Sequence, residues 1–385
     1  MTRAVVYYYY LCILISFVEA FQVRQKRSII QATRYAETAI TTASTTSSSS
    51  TTPMDTDTLK KNSILDTFDY HMQDKLPWSE QGYQFWKWRD VHDIHYIEMG
   101  DKTKPALLLI HGFGASAYHF RYNIPTLARD YHVFAFDMLG FGLSNKPIQD
   151  YSAHVWKDQT LDFIQQVIQK PVIVAGNSLG GFTALFASAS AGQHLIKGCI
   201  LLNAAGRFRK DMSDDEEQQQ QQKLDGENTK NNSMVYEIVS KVKEYTQRLI
   251  IWASFLYTKQ PARIQQVLQQ VYPVSPNMVD DELVQSIQYP SLDPNAAEVF
   301  YRVIVKNGNG PEVYVDDLLA QLQIPLLLCW GKSDPWIRPA AADTIEALYP
   351  ALSYRVNIDA GHCPHDESPQ EVNAAIRDFM QRIII

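Results

Sequence analysis

The stretch Val172-Ile-Val-Ala-Gly-Asn-Ser-Leu-Gly-Gly-Phe-Thr-Ala-Leu-Phe186 predicts a strand, a sharp turn and a helix. Its first residues are apolar and mostly β-branched, as in a buried strand, and its last residues are small or compatible with a helix. A Gly-x-Ser-x-Gly motif, Gly176 to Gly180, stands between the two halves. The backbone at such a turn is crowded, so the positions beside the serine favour glycine, which has no Cβ.

This turn gives Ser178 two properties that a nucleophile needs. It lifts Oγ of Ser178 above the edge of the sheet, and it places the N–H of Leu179 at a helix N-terminus, where partial positive charge stabilises a developing oxyanion. Glycine-rich helix starts also produce this motif by chance. Whether Ser178 is a nucleophile therefore depends on a base and an acid elsewhere in the chain.

Length and composition exclude several classes of protein. A chain of 385 residues with 45% hydrophobic residues forms one large domain with an insertion, or two domains. A formal net charge of -7 gives no electrostatic case for nucleic acid, which calls for a basic face. No Cys-x-x-Cys pair is present, so we expect neither a zinc site nor a disulfide framework. Cys199 and Cys329 lie in apolar runs and are predicted to be buried thiols.

The N-terminal residues have the composition of targeting segments. Residues 1–20, with Arg3 ahead of an apolar run, predict a signal peptide, and the run is shorter than the roughly 20 residues of a membrane span. Residues 21–60 are basic, hydroxylated and poor in acids, which is typical of a transit peptide. With Phe21 after the cleavage point, the two segments resemble the bipartite presequence of plastids enclosed by extra membranes. We expect a plastid location, and the sequon at Asn231 keeps the secretory pathway as the alternative.

Apolar runs that alternate with helical segments predict an α/β fold for the rest of the chain. Two strands within residues 83–99 are expected to be antiparallel, and later runs such as 106–110 and 325–330 to form a parallel sheet with helices on both faces. Helices are predicted over residues 117–129 and 153–169. We place the first part of this core at residues 82–208 and the second part at residues 319–385.

Between the two parts of the core, residues 209–318 are predicted to form a helical cap over the C-terminal edge of the sheet. Residues 211–232 are a low-complexity acidic and glutamine-rich segment with too little apolar surface to repay the entropy of ordering, so we interpret them as a solvated loop. The remainder has helical periodicity. Four aromatic side chains are expected to reach a substrate, three from the cap and one from the core: Trp252, Phe255, Tyr257 and Trp336.

Ser178, Asp334 and His362 each lie on a loop directly after a predicted strand. Parallel strands end at the same edge of a sheet, so the three loops can converge there. A serine nucleophile needs a base that takes its proton and a buried carboxylate that orients the base. We therefore predict a catalytic triad of these three residues, with the backbone N–H groups of Phe113 and Leu179 as the oxyanion hole.

Other polar residues near these loops are not assigned to the triad. Asn203, after the sixth strand, cannot act as the acid. Asp137 is expected to accept hydrogen bonds from the glycine-containing turn that follows it, and Asp359 to form hydrogen bonds within its own loop. His365 is expected either to brace the loop of His362 or to line the mouth of the site.

Across residues 85–382 the chain resembles the α/β-hydrolase superfamily, and within it a plastid and cyanobacterial branch that includes pheophytinases, which hydrolyse the phytyl ester of magnesium-free chlorophyll. The resemblance implies an eight-stranded, mostly parallel sheet with a helical cap, a serine carboxylic ester hydrolase, and no metal or cofactor. Five blocks carry it: His111-Gly-Phe-Gly, Asp137-x-x-Gly-x-Gly-x-Ser144, Gly176-Asn-Ser-Leu-Gly-Gly181, Gly331-x-x-Asp-Pro-Trp336 and Gly361-His-Cys-Pro-His-x-Glu-x-Pro369.

One departure concerns the start of the cap. Plant pheophytinases carry a Thr-Pro-Phe-Trp-type stretch after the sixth strand, whereas this chain has Ala204-Ala205-Gly206-Arg207. Because the cap sets substrate choice, the resemblance implies the mechanism more firmly than the substrate. We expect a hydrophobic carboxylic ester, either the phytyl ester of pheophytin or a galactolipid or other acyl ester, and peripheral contact with plastid membranes.

Two other classes of protein on this fold are weaker alternatives. Epoxide hydrolases and haloalkane dehalogenases attack with a carboxylate, which the serine at position 178 disfavours. A ligand-binding member without catalysis has little need of an intact triad.

Overall fold

The computed structural model describes residues 68–209, 233–306 and 313–384. The predicted signal peptide, the transit-like segment, the low-complexity segment 211–232 and the sequon at Asn231 lie outside the described residues. The two antiparallel strands, the parallel strands and most of the predicted cap lie within them.

Eight strands form one sheet: β1 (Gln84–Trp88), β2 (His92–Met99), β3 (Ala106–Ile110), β4 (His132–Phe136), β5 (Val172–Asn177), β6 (Ile196–Leu202), β7 (Leu326–Gly331) and β8 (Ser353–Ile358). Their spatial order is β1-β2-β4-β3-β5-β6-β7-β8. β2 pairs antiparallel with β1 and with β4, and the remaining neighbours pair in parallel. The predicted mostly parallel eight-stranded sheet is confirmed.

From β3 onward, helices separate the strands of the described chain, and five of them lie between β6 and β7. In chain order they are α1 (Asn123–Ala128), α2 (Ala153–Phe163), α3 (Leu179–Ser190), α4 (Ser233–Thr258), α5 (Pro261–Val271), α6 (Asp281–Gln288), α7 (Ala296–Tyr301), α8 (Val315–Gln321), α9 (Ala340–Leu348), α10 (Pro364–Glu367) and α11 (Pro369–Ile384). Short 3₁₀ turns lie at Ala117–Phe120, Pro276–Met278 and Tyr289–Leu292, and π turns extend α2 over Ile164–Ile168 and α7 over Arg302–Lys306.

The central strands are buried on both faces because alternate side chains enter two different layers. Every residue of β3, β4 and β5 is buried. Leu108, Val174 and Cys199 share one apolar cluster with residues of α2 and α3. Gly198, one position away, faces the other layer, where a Cβ would meet Phe379 of α11. Helices therefore cover both faces of the sheet.

The helix predicted over residues 117–129 is interrupted. A 3₁₀ turn ends at Phe120, and α1 begins only at Asn123. Pro125 accounts for the break, because a proline inside a helix clashes with the carbonyl four residues earlier, which here belongs to Arg121. That carbonyl instead accepts a hydrogen bond from the N–H of Leu76 at 2.8 Å.

Helices α4 to α7 lie between β6 and β7 in the chain. α5 and α6 enclose a small apolar cluster that includes Leu268 and Leu283, and α7 packs on α4. Glu298 of α7 accepts hydrogen bonds from the guanidinium groups of Arg248 and Arg302, which holds these two helices together. Within the described part of the chain, no helix has the length and apolar character that a membrane crossing requires.

Candidate active site

Ser178 joins β5 to α3 in a backbone conformation that is rare for residues with a side chain. Its φ is +53° and its ψ is −118°, a region that costs about 1–3 kcal/mol and persists only where the surroundings enforce it. Two glycines make the turn sterically feasible. A Cβ at Gly176 would collide with the backbone of Gly180, and a Cβ at Gly180 would collide with the carbonyl of His111. The side chain of Ser178 does not cap α3.

His362 and Asp334 are brought together by the loops after β8 and β7. Nδ1 of His362 donates a hydrogen bond to Oδ2 of Asp334 at 2.8 Å, and both side chains are buried. An ionised carboxylate can only accept, so the proton lies on Nδ1, and Nε2 of the neutral ring can accept a proton. This is the arrangement of a general base and the acid that orients it.

Asp334 receives four hydrogen bonds, one of them from a side chain to which the sequence assigned no role. Oδ1 accepts from the N–H groups of Trp336 and Ile337 at 2.7 and 2.9 Å. Oδ2 accepts from His362 and also from Nδ2 of Asn203, at 2.6 Å. Oδ1 of Asn203 in turn accepts from the N–H of the glycine that ends β7, at 2.9 Å. Asn203 therefore holds Asp334, the candidate acid, in place.

The loop of His362 is attached to the serine turn by the residue directly before the serine. Nδ2 of Asn177 donates to the carbonyl of His362 at 2.9 Å and to the carbonyl of Leu202 at 3.0 Å. The acid loop and the base loop also meet, because a Cβ at Gly331 would collide with the carbonyl of Gly361. The loops after β5, β6, β7 and β8 thus meet at one edge of the sheet.

The helices between β6 and β7 contact the loop of His362 directly. The N–H of His362 donates to the carbonyl of Val271, the last residue of α5, at 3.1 Å. Glu367 is buried, and its Oε1 accepts the N–H groups of residues 274–275 at 2.7 and 2.8 Å. Its Oε2 accepts the N–H of Gly361 at 2.5 Å. One carboxylate therefore joins the segment after α5 to the turn that precedes His362.

The glycine-rich loop after β3 is held by its own histidine. Nδ1 of His111 donates to the carbonyl of Gly112 at 2.7 Å, and Nε2 accepts from the N–H of Met138 at 3.0 Å. Burial lowers the pKa of His111, which keeps the ring neutral, as both bonds require. Because C=O and N–H of a trans peptide point in opposite directions, the N–H of Phe113 points away from this ring. The loop lies against the serine turn, since a Cβ at Gly112 would lie 3.3 Å from Cβ of Ser178.

The structure tests the roles that were predicted for Asp137, Asp359 and His365. Asp137 accepts from the N–H of Leu143 at 2.7 Å, so its predicted role in the turn is confirmed. Asp359 is exposed and its side chain has no hydrogen bond among the described residues, because backbone bonds close its turn; that prediction was wrong. His365 is fully buried with its ring 4.5 Å from that of Phe120, so it braces the loop, and burial lowers its pKa well below the ordinary value.

Aromatic rings lie on two sides of the site. The ring of Phe113 lies 5.6 Å from that of Phe300 in α7, which lies 5.2 Å from that of Phe255 in α4. On the other side, the ring of Trp336 lies 4.9 Å from that of His362. The predicted contribution of Phe255 and Trp336 to an aromatic environment therefore has a structural basis.

Two of the four expected aromatic residues lie elsewhere, and one was not foreseen. Trp252 is 42% exposed on the outer side of α4, and Tyr257 lies under the guanidinium of Arg263, 5.4 Å from it. Phe300 was missed because a single phenylalanine in a short helix carries no periodic signal that separates a wall residue from a core residue.

No metal site is formed within residues 68–209, 233–306 and 313–384, where no three His, Cys, Asp or Glu side chains are placed to hold an ion. Cys199 and Cys329 are buried free thiols, as predicted. Burial raises the pKa of both to about 12, so they stay protonated and are poor nucleophiles.

A known protein family matches most of this fold. Residues 105–369, well over half of the chain, match the family model described as alpha/beta hydrolase fold. The chain belongs to the α/β-hydrolase fold family. The fold expected from the five sequence blocks is thereby confirmed.

Relatives within the family carry different names. The chain is 30% identical over 339 residues to a chloroplastic pheophytinase of Arabidopsis thaliana, a match that covers 77% of this chain and 66% of that protein, just under two thirds of its length. It is 26% identical to epoxide hydrolase 3 of Xenopus tropicalis, over 75% of this chain and 74% of the relative. Among solved structures, a serine hydrolase involved in carbazole degradation aligns with a TM-score of 0.58 at 22% identity, covering 77% of this chain and 98% of that one.

Proposed function

We propose that this chain is a serine carboxylic ester hydrolase that acts through Ser178, His362 and Asp334. The observation that carries the proposal is the buried hydrogen bond from His362 to Asp334, on a loop that Asn177 anchors beside the strained serine turn. Backbone strain of this kind concentrates at active sites. A protein that only binds a ligand has little need of such a turn together with a paired histidine and carboxylate.

The proposed reaction has two halves. His362 takes the proton of Ser178 Oγ as the oxygen attacks the ester carbonyl, and Asp334 stabilises the imidazolium that forms. The N–H groups of Phe113 and Leu179 bind the oxyanion; the latter opens α3, so it has no acceptor within its own helix. His362 then gives the proton to the leaving alcohol, and a water molecule activated by the same ring hydrolyses the acyl-enzyme.

A hydrophobic ester is the substrate class that we infer. Phe113, Phe300 and Phe255 supply one aromatic side and Trp336 the other. The phytyl ester of pheophytin is the first candidate, because of the similarity to a pheophytinase, and galactolipid or other acyl esters are the alternative. The stretch that begins the proposed cap differs from the plant pattern and contacts the candidate nucleophile, because the N–H of Ala205 donates to the carbonyl of Ser178 at 2.9 Å. This stretch therefore bears on the choice between pheophytin and other esters.

Epoxide opening is the second candidate reaction, because one relative is named an epoxide hydrolase. On this fold it requires a carboxylate nucleophile, and position 178 is a serine. Ester hydrolysis is therefore favoured. An epoxide substrate belongs in the same assay as a direct test.

We propose further that residues 209–318 are a cap that sets substrate choice over a core of residues 82–208 and 319–385. A plastid location agrees with the chloroplastic relative, with residues 1–20 and 21–60 as its bipartite presequence. The substrate is a small hydrophobic molecule, and the enzyme reaches it by peripheral contact with plastid membranes. No metal or cofactor takes part.

Substitution of the candidate nucleophile tests the proposal. Ser178→Ala is expected to lower kcat by at least about a thousandfold, because removing a triad nucleophile leaves only the oxyanion hole and binding. Its thermal unfolding should stay close to that of the wild type. Pheophytin, a galactolipid, a short nitrophenyl ester and an epoxide are offered to both proteins, with Ser190→Ala, an exposed serine of the same helix, as the control.

Each result has a separate meaning. Pheophorbide released by the wild type and by Ser190→Ala but not by Ser178→Ala supports both nucleophile and substrate. Hydrolysis of only the other esters keeps the mechanism and removes the pigment. Turnover that survives in Ser178→Ala refutes the assignment of the nucleophile.

A further inference from the structure

Helix α4 of the cap carries large apolar side chains on the protein surface. Tyr245, Leu249, Trp252 and Leu256 are 70%, 72%, 42% and 52% exposed. They are separated by four, three and four residues, which places them on one face of the helix. We call these four residues the outer stripe. Apolar surface concentrated in this way marks a contact site.

The neighbouring face of α4 leads to the candidate active site. Ile251 and Phe255 are buried, and the ring of Phe255 contacts Phe300, which contacts Phe113 of the glycine-rich loop. Trp252 of the outer stripe lies one turn from Phe255, so the two side chains are neighbours on the helix surface. Apolar side chains thus continue from the exposed face of the cap to the loop beside Ser178.

Positive charge accompanies the outer stripe. Residues 241–259 contain four Lys or Arg and one acidic residue, in a chain whose net charge is -7. Lys241 and Arg248 of α4 and Lys259, which directly follows the helix, are separated by 7 and 11 residues, close to two and three helical turns. They therefore lie on the same flank. Arg248 pairs with Glu298, Lys259 lies 6.0 Å from the centre of the Phe255 ring, and Lys241 is exposed at the other end of this flank.

An aromatic and aliphatic face with a basic flank is the pattern of a helix that lies in a membrane interface. We propose that α4 binds the surface of an anionic lipid bilayer through the outer stripe, with Lys241 and Lys259 against the headgroups. The purpose of this membrane contact rests on the proposed function, because the hydrophobic ester resides in the bilayer. Binding itself is measured without catalysis.

A pair of adjacent positions provides the test. Leu249 belongs to the outer stripe, whereas Ile250 is also exposed, at 53%, but lies outside the spacing of the stripe. Leu249→Cys and Ile250→Cys are made in the full chain with Cys12→Ser, so that the buried native thiols stay unlabelled, and each carries a polarity-sensitive fluorophore. On addition of phosphatidylglycerol vesicles, the label at position 249 should shift to the blue, and the label at position 250 should change little.

A second comparison uses no label, so that a fluorophore which disturbs the helix does not decide the result. In vesicle sedimentation, Trp252→Ser should lose binding relative to Ile250→Ser. Lys259→Gln should weaken binding to anionic vesicles about fivefold, because a surface cation contributes about 1 kcal/mol there. Phosphatidylcholine vesicles should bind more weakly in every case.

Three outcomes overturn the proposal. Equal fluorescence shifts of the labels at positions 249 and 250 show that the outer stripe makes no specific contact with the vesicles. The absence of any shift at position 249 shows that the stripe does not bind the membrane. A shift at 249 that follows protein concentration without vesicles shows that a second copy of the chain covers the stripe. Absence of ester hydrolysis in the wild type, with vesicle binding retained, counts only against the proposed function.

Discussion

At the scale of single residues, Asn203 shows how a side chain that cannot act as an acid still controls one. Its φ of +45° lies in the left-handed region, which asparagine tolerates better than most residues. From there its amide supplies a donor for Asp334 and an acceptor for the N–H of Gly331. A carboxylate at this position offers no donor and sets two negative charges side by side. The amide is thus the group that fits both bonds.

Removal of this amide should impair the base through the acid. Asn203→Ala leaves Oδ2 of Asp334 with His362 as its remaining partner, which strengthens the attraction for the imidazolium and moves the acidic limb of the kcat/KM profile to higher pH. The carboxylate is then held by one side chain fewer, so the ring of His362 is less well oriented. kcat should fall about ten- to a hundredfold, a barrier increase of about 1.5–3 kcal/mol. The measurement is a pH–rate profile with a soluble ester.

Asn373→Ala is the matched control for that experiment. Asn373 is a buried asparagine that accepts from Asn123 at 2.8 Å on the layer of α11. Its removal should cost stability without moving the pH profile. An identical profile in Asn203→Ala and Asn373→Ala contradicts the role of Asn203 as a positioning residue.

At the scale of elements, the loop of His362 depends on the cap as well as on the sheet. It follows β8 in the core, but its backbone bonds to the end of α5, and Glu367 of α10 holds the segment after α5. Folding of the cap and placement of the base are therefore coupled. The proposed cap therefore also positions the proposed base.

Glu367→Gln tests this coupling. The amide keeps one acceptor oxygen but turns an NH₂ group toward N–H donors, so at least one charge-assisted bond is lost and the free energy of unfolding should fall by about 2–3 kcal/mol. kcat should fall more than KM rises, because the base is displaced. Glu371→Gln, an exposed glutamate at the start of α11, is the control and should leave stability and kcat unchanged. Equal effects of the two substitutions refute the coupling.

At the scale of the whole molecule, a buried polar network joins the end of α5 to the turn after β3 and to α10. Nε2 of His119 donates to the hydroxyl of Tyr272, at the end of α5, at 2.7 Å. That hydroxyl donates to Asp366 at 2.8 Å, and Asp366 also accepts from Arg121 at 2.9 Å. Burial, with Arg121 nearby, lowers the pKa of His119 to about 3. The histidine is therefore neutral in the folded protein over the physiological range.

The fold should lose stability on mild acidification. His119 takes up a proton near pH 6.5 when unfolded but only near pH 3 when folded, so the unfolded state binds more protons between these values and stability falls as pH drops. At pH 5 the loss from this one residue is about 2 kcal/mol relative to pH 7 and above. His119→Gln should reduce the loss between pH 7 and pH 5 by this amount in denaturant titrations, and His71→Gln, at an exposed site, should not. The same loss in both variants refutes this account.

Local signals in the sequence were enough for the strands and for the order of the candidate site loops. The apolar runs predict β3, β4, β5 and β7 because both faces of a central strand are buried, and glycines mark the turns where backbones approach too closely for a Cβ. Helix continuity was less predictable. The break after Phe120 depends on Pro125, which cannot donate to the carbonyl of Arg121, and on the N–H of Leu76, which bonds to that carbonyl from a distant part of the chain.

The sequence by itself determined the fold class and the loops that carry Ser178, Asp334 and His362. The burial of a strand and the sterics of a turn depend on residues that are close together in the chain, so their pattern is visible in the sequence. Only the tertiary structure decided that Asn203 and Glu367 hold these loops, that Phe300 reaches the glycine-rich loop, and that Trp252 faces outward. Those relations join residues that are far apart in the chain. A hydrogen bond or ring contact between them exists only once the sheet and the cap have set their distance and direction.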